Sequence, residues 1–250
     1  MISFTDATLL DLVASILLPL FRVAGLFTAA PVLSQRSTPM QVRVGLAFMI
    51  SLLAAPTIEM PEVALGLEMF PLIAHEIIVG LTLGFIARLI FAAFEIAGEA
   101  IGLQMGLSFA GFFDPQSGAA NPVARTINLT AITAFVMLNG PGLLVAAVIA
   151  SFNVIPIDAS FTWLAESSPA LMGTAVFSLA LSIALPFMML LLFVNLALGI
   201  MSRVAPQFSV FAVGFPLTIG VGMTLLTFTT PLMDTAINLA MVLLADAMPA

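Results

Sequence analysis

The chain has 250 residues, 62% of them hydrophobic and only 8% charged, with a mean hydropathy of +1.22. Soluble domains carry about 25% charged residues, so a water-soluble fold could not cover its core with this set. Cysteine is absent, which excludes disulfides and thiolate metal sites, and a net charge of −7 without any basic stripe excludes nucleic acid as a partner.

No Asp, Glu, Lys, Arg or His lies between Arg125 and Asp158, between Glu166 and Arg203, or between Arg203 and Asp234. Each run exceeds the roughly 18 residues of a membrane-helix candidate. In lipid the backbone must bond to itself, as a helix or as a closed barrel. Barrel strands would alternate apolar and polar residues; these runs are continuously apolar, so helices are predicted throughout. Met1–Leu12 carries Asp6 and Asp11 and no cation, unlike the basic start of a cleaved signal peptide, so the first helix is expected to be retained.

The first apolar segment runs from about Leu9 to Val32, with Pro19 and Arg22 inside it, and a loop with Arg36 follows. A second segment covers about Val42 to Ile58, and Glu59–Glu68 is an acidic, Pro-containing loop. A third covers about Met69 to Phe94, with a continuation from about Glu95 to Ser108. Phe109–Pro122 reads as a loop rich in Gly, Ala and Phe. Helices are then predicted over about Val123–Leu138 and Leu143–Ile157, joined by a Gly-Pro turn at Asn139–Gly142. Asp158–Pro169 is the most polar stretch and holds the single Trp, Trp163. The longest apolar run is about Ala170–Met201, with Pro186 in its interior. Gln207–Pro216 is a turn region, and about Leu217–Leu244, broken by Pro231, closes the chain. No linker divides the chain into soluble domains.

Catalytic constellations are missing. His75-Glu76 opens like a zinc motif, but the position four residues on is Val79 and His75 is the sole histidine. The absence of lysine removes a Ser–Lys dyad. His75 is therefore read as a polar residue at a helix interface or membrane boundary. More informative are Glu76, Arg88, Glu95 and Glu99, which crowd one apolar stretch. A charge at mid-bilayer costs at least about 2.5–3.5 kcal/mol, so these four are not expected to face lipid. Arg88 and Glu95 share a helical face, as do Glu95 and Glu99. They line a polar pathway or subunit contact, or belong to a segment outside the hydrocarbon that pairs with other chains.

Gly98, Gly102 and Gly106 are spaced by four and form a ridge without side chains; Gly80 and Gly84 repeat the spacing. Such ridges let another backbone approach closely. The loop that follows carries Phe109, Phe112 and Phe113, three Phe within five residues. Exposed, each would forfeit about 1.5–3 kcal/mol of burial, so they must pack somewhere, the lumen of an assembly being one such place.

These residues resemble a known family. Gly98-Glu99-Ala100-Ile101-Gly102-Leu103-Gln104-Met105-Gly106-Leu107-Ser108-Phe109-Ala110, followed by Asp114-Pro115, is similar to the middle motif of the FliR family. Asn195-Leu196-Ala197-Leu198-Gly199, then Arg203-Val204-Ala205-Pro206-Gln207-Phe208-Ser209-Val210-Phe211 and Gly214-Phe215-Pro216-Leu217, resembles its second signature. Pro19-Leu20-Phe21-Arg22-Val23 and Ala30-Pro31-Val32 match the opening pattern, and Arg43 and Pro56 fit as well. The chain ends at Ala250, so no FlhB-like cytoplasmic domain is expected to be fused to it.

The resemblance implies an all-α polytopic membrane protein of bent or Pro-broken helical hairpins, with one export-gate domain over residues 1–250. Within it, about 1–168 would be FliP-like helices and a plug loop, and about 169–250 a FliQ-like long hairpin. It implies a non-enzymatic subunit without a cofactor, in the bacterial inner membrane at the flagellar basal body. Its partners would be FliP-type, FliQ-type and FlhB-type subunits, membrane lipid and unfolded export substrates. The plug would be about Gly106 to Asn121, built from Gly106, Phe109, Gly111, Phe112, Phe113, Asp114 and Pro115. Gly98 and Gly102 would pack helices, and Arg88, Glu95, Glu99 and Arg203 would make polar contacts between helices or subunits. Pro206, Gln207, Phe208, Gly214, Phe215 and Pro216 would form the turn of the C-terminal hairpin. The alternative is a secondary transporter for a small solute, suggested by Pro-broken helices with intramembrane Glu and Arg; the lack of an internal repeat counts against it.

Overall fold

The computed structural model of the chain describes residues 6–34, 38–58, 69–107, 121–157, 160–161, 163, 169–205, 213–228 and 230–247. Among them all regular structure is helical, with no strand. The helices are α1 (Asp6–Ala29), α2 (Met40–Ala54, extended by a 3-10 turn over Ala55–Thr57), α3 (Met69–Gln104), α4 (Pro122–Met137), α5 (Gly140–Val154), α6 (Pro169–Val204), α7 (Phe215–Phe228) and α8 (Thr230–Ala247). The two segments read as Met69–Phe94 and Glu95–Ser108 are one uninterrupted helix, because nothing between them lacks an N–H or demands positive φ. At Pro231 the closing segment divides into α7 and α8, with the proline in the first turn of α8, where a missing N–H goes unnoticed. Pro186 lies within continuous α6. Between α4 and α5 the chain turns at Asn139, whose φ of 57° is the left-handed conformation that Asn tolerates, and Pro141 then starts α5.

Two helices are long and apolar enough to cross a membrane, Met69–Gln104 and, within α6, Met172–Val204; α4 and α5 pass the same test only as a broken pair. The hydroxyls of Thr82, Thr126, Thr130, Thr133, Ser182, Thr224 and Thr227 each donate to the carbonyl four residues earlier, at 2.8–3.0 Å. These side chains are satisfied by their own helix and so tolerate apolar surroundings. The chain is thus an all-α polytopic membrane protein.

The chain divides into two compact units. The first comprises Met1–Leu89, Leu138–Met172 and Val242–Ala250. In it Leu18, Met69, Leu72, Phe152 and Ile157 form a buried cluster, flanked by Leu17, Ile58 and Ile73. α1 crosses α3 at glycines from both helices. A Cβ at Gly25 would stand 2.8 Å from the Ile77 carbonyl oxygen, and one at Gly80 would strike the Arg22 carbonyl. Gly84 likewise meets Ala29 and Ala30.

The second unit comprises Ile90–Met137 and Gly173–Met241. The C-terminal half of α3 packs on α4, with Ala97, Ile101, Ala124, Ile127 and Ala131 all buried. Phe91 meets Phe135 edge-on, their ring centroids 5.2 Å apart.

Candidate functional site

Two constellations stand out, one in each unit. In the second unit the motif residues converge on the C-terminal end of α3. Beyond Gln104 the chain turns at Gly106, whose φ of +81° suits glycine. A Cβ there would also collide with the ring of Phe215. The last α3 carbonyls, which have no partner within the helix, are reached from two other helices. Asn195 Nδ2 on α6 donates to the Gln104 carbonyl at 3.4 Å, and Thr218 Oγ1 on α7 lies 3.2 Å from that of Met105. A cavity of about 370 Å³ adjoins this junction, lined by Gln104, Gly106, Asn195, Gly199, Phe215 and Thr218 among others. The middle motif and two of the three stretches of the second signature, Asn195–Gly199 and Gly214–Leu217, therefore meet at one place.

The far end of the same loop returns to the same helix. Asn121 Nδ2 is 3.3 Å from both the Gly98 carbonyl and Glu99 Oε2, and Asn121 Oδ1 accepts the Val123 N–H at 3.0 Å. The glycine ridge makes room for this. A Cβ at Gly102 would overlap the Asn121 side chain, and one at Gly98 would overlap Ala124. One turn earlier Asn128 Nδ2 donates to Glu95 Oε1 at 2.9 Å. Glu95 and Glu99 are exposed on the chain. Arg88 and Arg203 are exposed too, and neither forms an ion pair among the described residues. Gly214 is buried, Phe215 half-buried and Pro216 exposed. Phe109, Gly111, Phe112, Phe113, Asp114 and Pro115 lie outside the described residues, as do Pro206, Gln207 and Phe208.

The constellation in the first unit is a buried ion pair. Arg22 on α1 grips Glu76 on α3 with two parallel bonds, Nε to Oε2 at 2.8 Å and Nη2 to Oε1 at 2.7 Å; neither side chain is exposed. Arg22 Nη1 donates to Ser151 Oγ at 3.0 Å, and Nη2 also reaches the Ile155 carbonyl at 2.9 Å, just past the end of α5. Its guanidinium lies 4.0 Å from the centre of the Phe152 ring. One Arg thus ties three helices. The planar fork of guanidinium supplies this geometry and an ammonium does not. His75 adjoins the pair, with Nδ1 3.2 Å from Glu76 Oε1 and Nε2 accepting the Trp163 indole N–H at 3.1 Å.

None of these residues was assigned to a site by the sequence reading. It puts Arg22 in the opening pattern, His75 at a helix interface or membrane boundary, and Glu76 among charges that avoid lipid. A signal existed nonetheless: an Arg and a Glu in two apolar helices, each too costly alone, suit each other. No metal-holding group of His, Asp and Glu occurs among the described residues.

A family model described as bacterial export proteins, family 1, matches residues 13–242. The flagellar biosynthetic protein FliR of Escherichia coli (strain K12) is 42% identical over 220 residues, covering 86% of this chain and 83% of that protein. FliR of Pectobacterium carotovorum is 39% identical over 238 residues, 93% of this chain and 90% of that protein. FliR of Bacillus subtilis (strain 168) is 35% identical over 225 residues, 88% and 87% of the two. The chain belongs to the FliR family of bacterial export proteins.

Proposed function

We propose that this chain is a non-enzymatic subunit of the flagellar protein-export gate in the bacterial inner membrane. With FliP-type and FliQ-type subunits, and next to an FlhB-type subunit, it forms the mouth of the channel that admits unfolded export substrates. The segment Gly106–Asn121 is the plug of the resting pore. The observation that carries this reading is the double anchoring of that loop on the last turns of α3, at Gly106, whose N–H donates to the Leu103 carbonyl at 3.0 Å, and at Asn121 through Gly98 and Glu99. A loop pinned at both roots to one helix, with three Phe between them, suits a seal, because apolar constrictions exclude ions by dewetting.

The test is ion conductance of the assembled gate in a planar bilayer. Deleting the segment between Leu107 and Ala120 should raise it. Unchanged conductance in a normally assembled complex removes the plug reading.

A further inference from the structure

The two helices long enough to cross a membrane come together near their C-terminal ends. Met69–Gln104 and Met172–Val204 have 36 and 33 residues, more than the about 20 that a hydrocarbon core takes up. Their ends therefore reach the headgroup layer. There α3 is short of donors. Asn195 Nδ2 reaches the Gln104 carbonyl only at 3.4 Å, a long N–H···O bond. The Thr218 hydroxyl lies 3.2 Å from the Met105 carbonyl and 3.0 Å from that of Phe215, and its one proton serves only one of them well. Carbonyls left this way in apolar surroundings call for a further donor.

Room for one exists. The cavity of about 370 Å³ at this junction is bordered by Gly199, where a Cβ would meet nothing within 4 Å. Arg203 follows Gly199 by one helical turn on the same face of α6. Helical side chains lean toward the N-terminus, which carries the guanidinium back toward the cavity. Arg203 is exposed and forms no ion pair among the described residues. Leu192, Leu196 and Ile200 run along the adjoining stripe of α6, all exposed.

We propose that this cavity and its rim bind a phospholipid whose headgroup carries hydrogen-bond donors, ethanolamine or glycerol. Its phosphate pairs with Arg203, which suits a guanidinium. Its headgroup donors complete the Gln104 and Met105 carbonyls, and the negative end of the α3 dipole adds to the attraction for an ammonium. Its acyl chains lie along Leu192, Leu196 and Ile200, where a free phosphate would leave the apolar stripe uncovered. A choline headgroup has no N–H or O–H and leaves the carbonyls unserved. The inference rests on the membrane character of the chain and not on the gate or the plug.

The test is native mass spectrometry of the full chain, released from vesicles of equal parts phosphatidylethanolamine, phosphatidylglycerol and phosphatidylcholine. The chain should retain phosphatidylethanolamine or phosphatidylglycerol in preference to phosphatidylcholine. Arg203→Ala should weaken that retention about tenfold, the loss expected of one charge-assisted pair. Gly199→Leu, which fills the cavity without meeting the chain, should abolish it with helical circular dichroism unchanged. Arg125→Ala, an exposed cation elsewhere, should leave it intact. Equal retention of phosphatidylcholine, or retention unchanged in both R203A and G199L, overturns the proposal. So does a wild-type chain that carries no lipid while a cysteine at position 199 cross-links to a neighbouring subunit, since a protein partner then covers this face.

Discussion

Arg22 and Glu76 are 54 residues apart in sequence, yet their side chains meet through two hydrogen bonds of 2.8 and 2.7 Å with no exposure of either. The pair holds α1 on α3, and the spare donors of Arg22 bring in α5 through Ser151 and Ile155. Removing one partner strands a buried charge, which typically costs about 3–5 kcal/mol. Arg22→Ala and Glu76→Ala should each lower the thermal midpoint of the purified chain sharply. Arg22→Met combined with Glu76→Leu should recover much of the loss, and a double mutant no better than either single would show that the pair is not the source. Arg22→Lys should resemble Ala more than Arg, since an ammonium cannot make the fork.

Helix crossing at Gly80 gives a second prediction. A methyl group there meets the backbone of α1 at Arg22, which cannot yield as a flexible side chain could. Gly80→Ala should destabilise the first unit by about 1–3 kcal/mol, as overpacking does, and should disturb the adjoining ion pair. Gly45 on α2 has nothing within 4 Å, so Gly45→Ala should be neutral or stabilising by up to about 1 kcal/mol. Denaturation of both variants in one detergent tests the contrast.

Gly106 combines positive φ with contact against Phe215. A left-handed non-glycine residue costs roughly 1–2 kcal/mol before any clash. Gly106→Ala should therefore displace the root of the loop, which cross-linking between cysteines placed at Leu107 and Thr218 would detect. Adding Phe215→Ala should relieve the clash but not the backbone strain, giving partial recovery.

The acidic residues of α3 play a different part. Glu99 receives Asn121 and Glu95 receives Asn128, and both carboxylates keep an exposed face. Glu99→Ala and Arg203→Ala are expected to reduce co-purification with P-type and Q-type subunits without unfolding the chain. Normal assembly with lost substrate passage would instead assign these residues to transport.

Much of the helical layout was legible in the sequence. Long uncharged runs declare their solvent, and prolines and glycines mark where helices start, turn or touch. The ridge Gly98–Gly102 could be read as a contact surface because spacing by four is a local property of a helix. The division at Pro231 was equally local. Asn121 and Thr218 gave no such signal: a single amide or hydroxyl in a polar or apolar run says nothing about which distant carbonyl it will meet.

Composition and periodicity by themselves determined that this is an all-helical membrane protein, and two motifs pointed to its family, because hydropathy, backbone chemistry and motif residues are all written along the chain. Only the tertiary structure decided that Arg22 belongs to Glu76, that Ser151 and Ile155 complete its donors, and that His75 meets Trp163. Those facts rest on directional bonds between residues 54 to 133 positions apart. An apolar sequence requires that its buried charges find partners; which partners they find depends on how the helices cross.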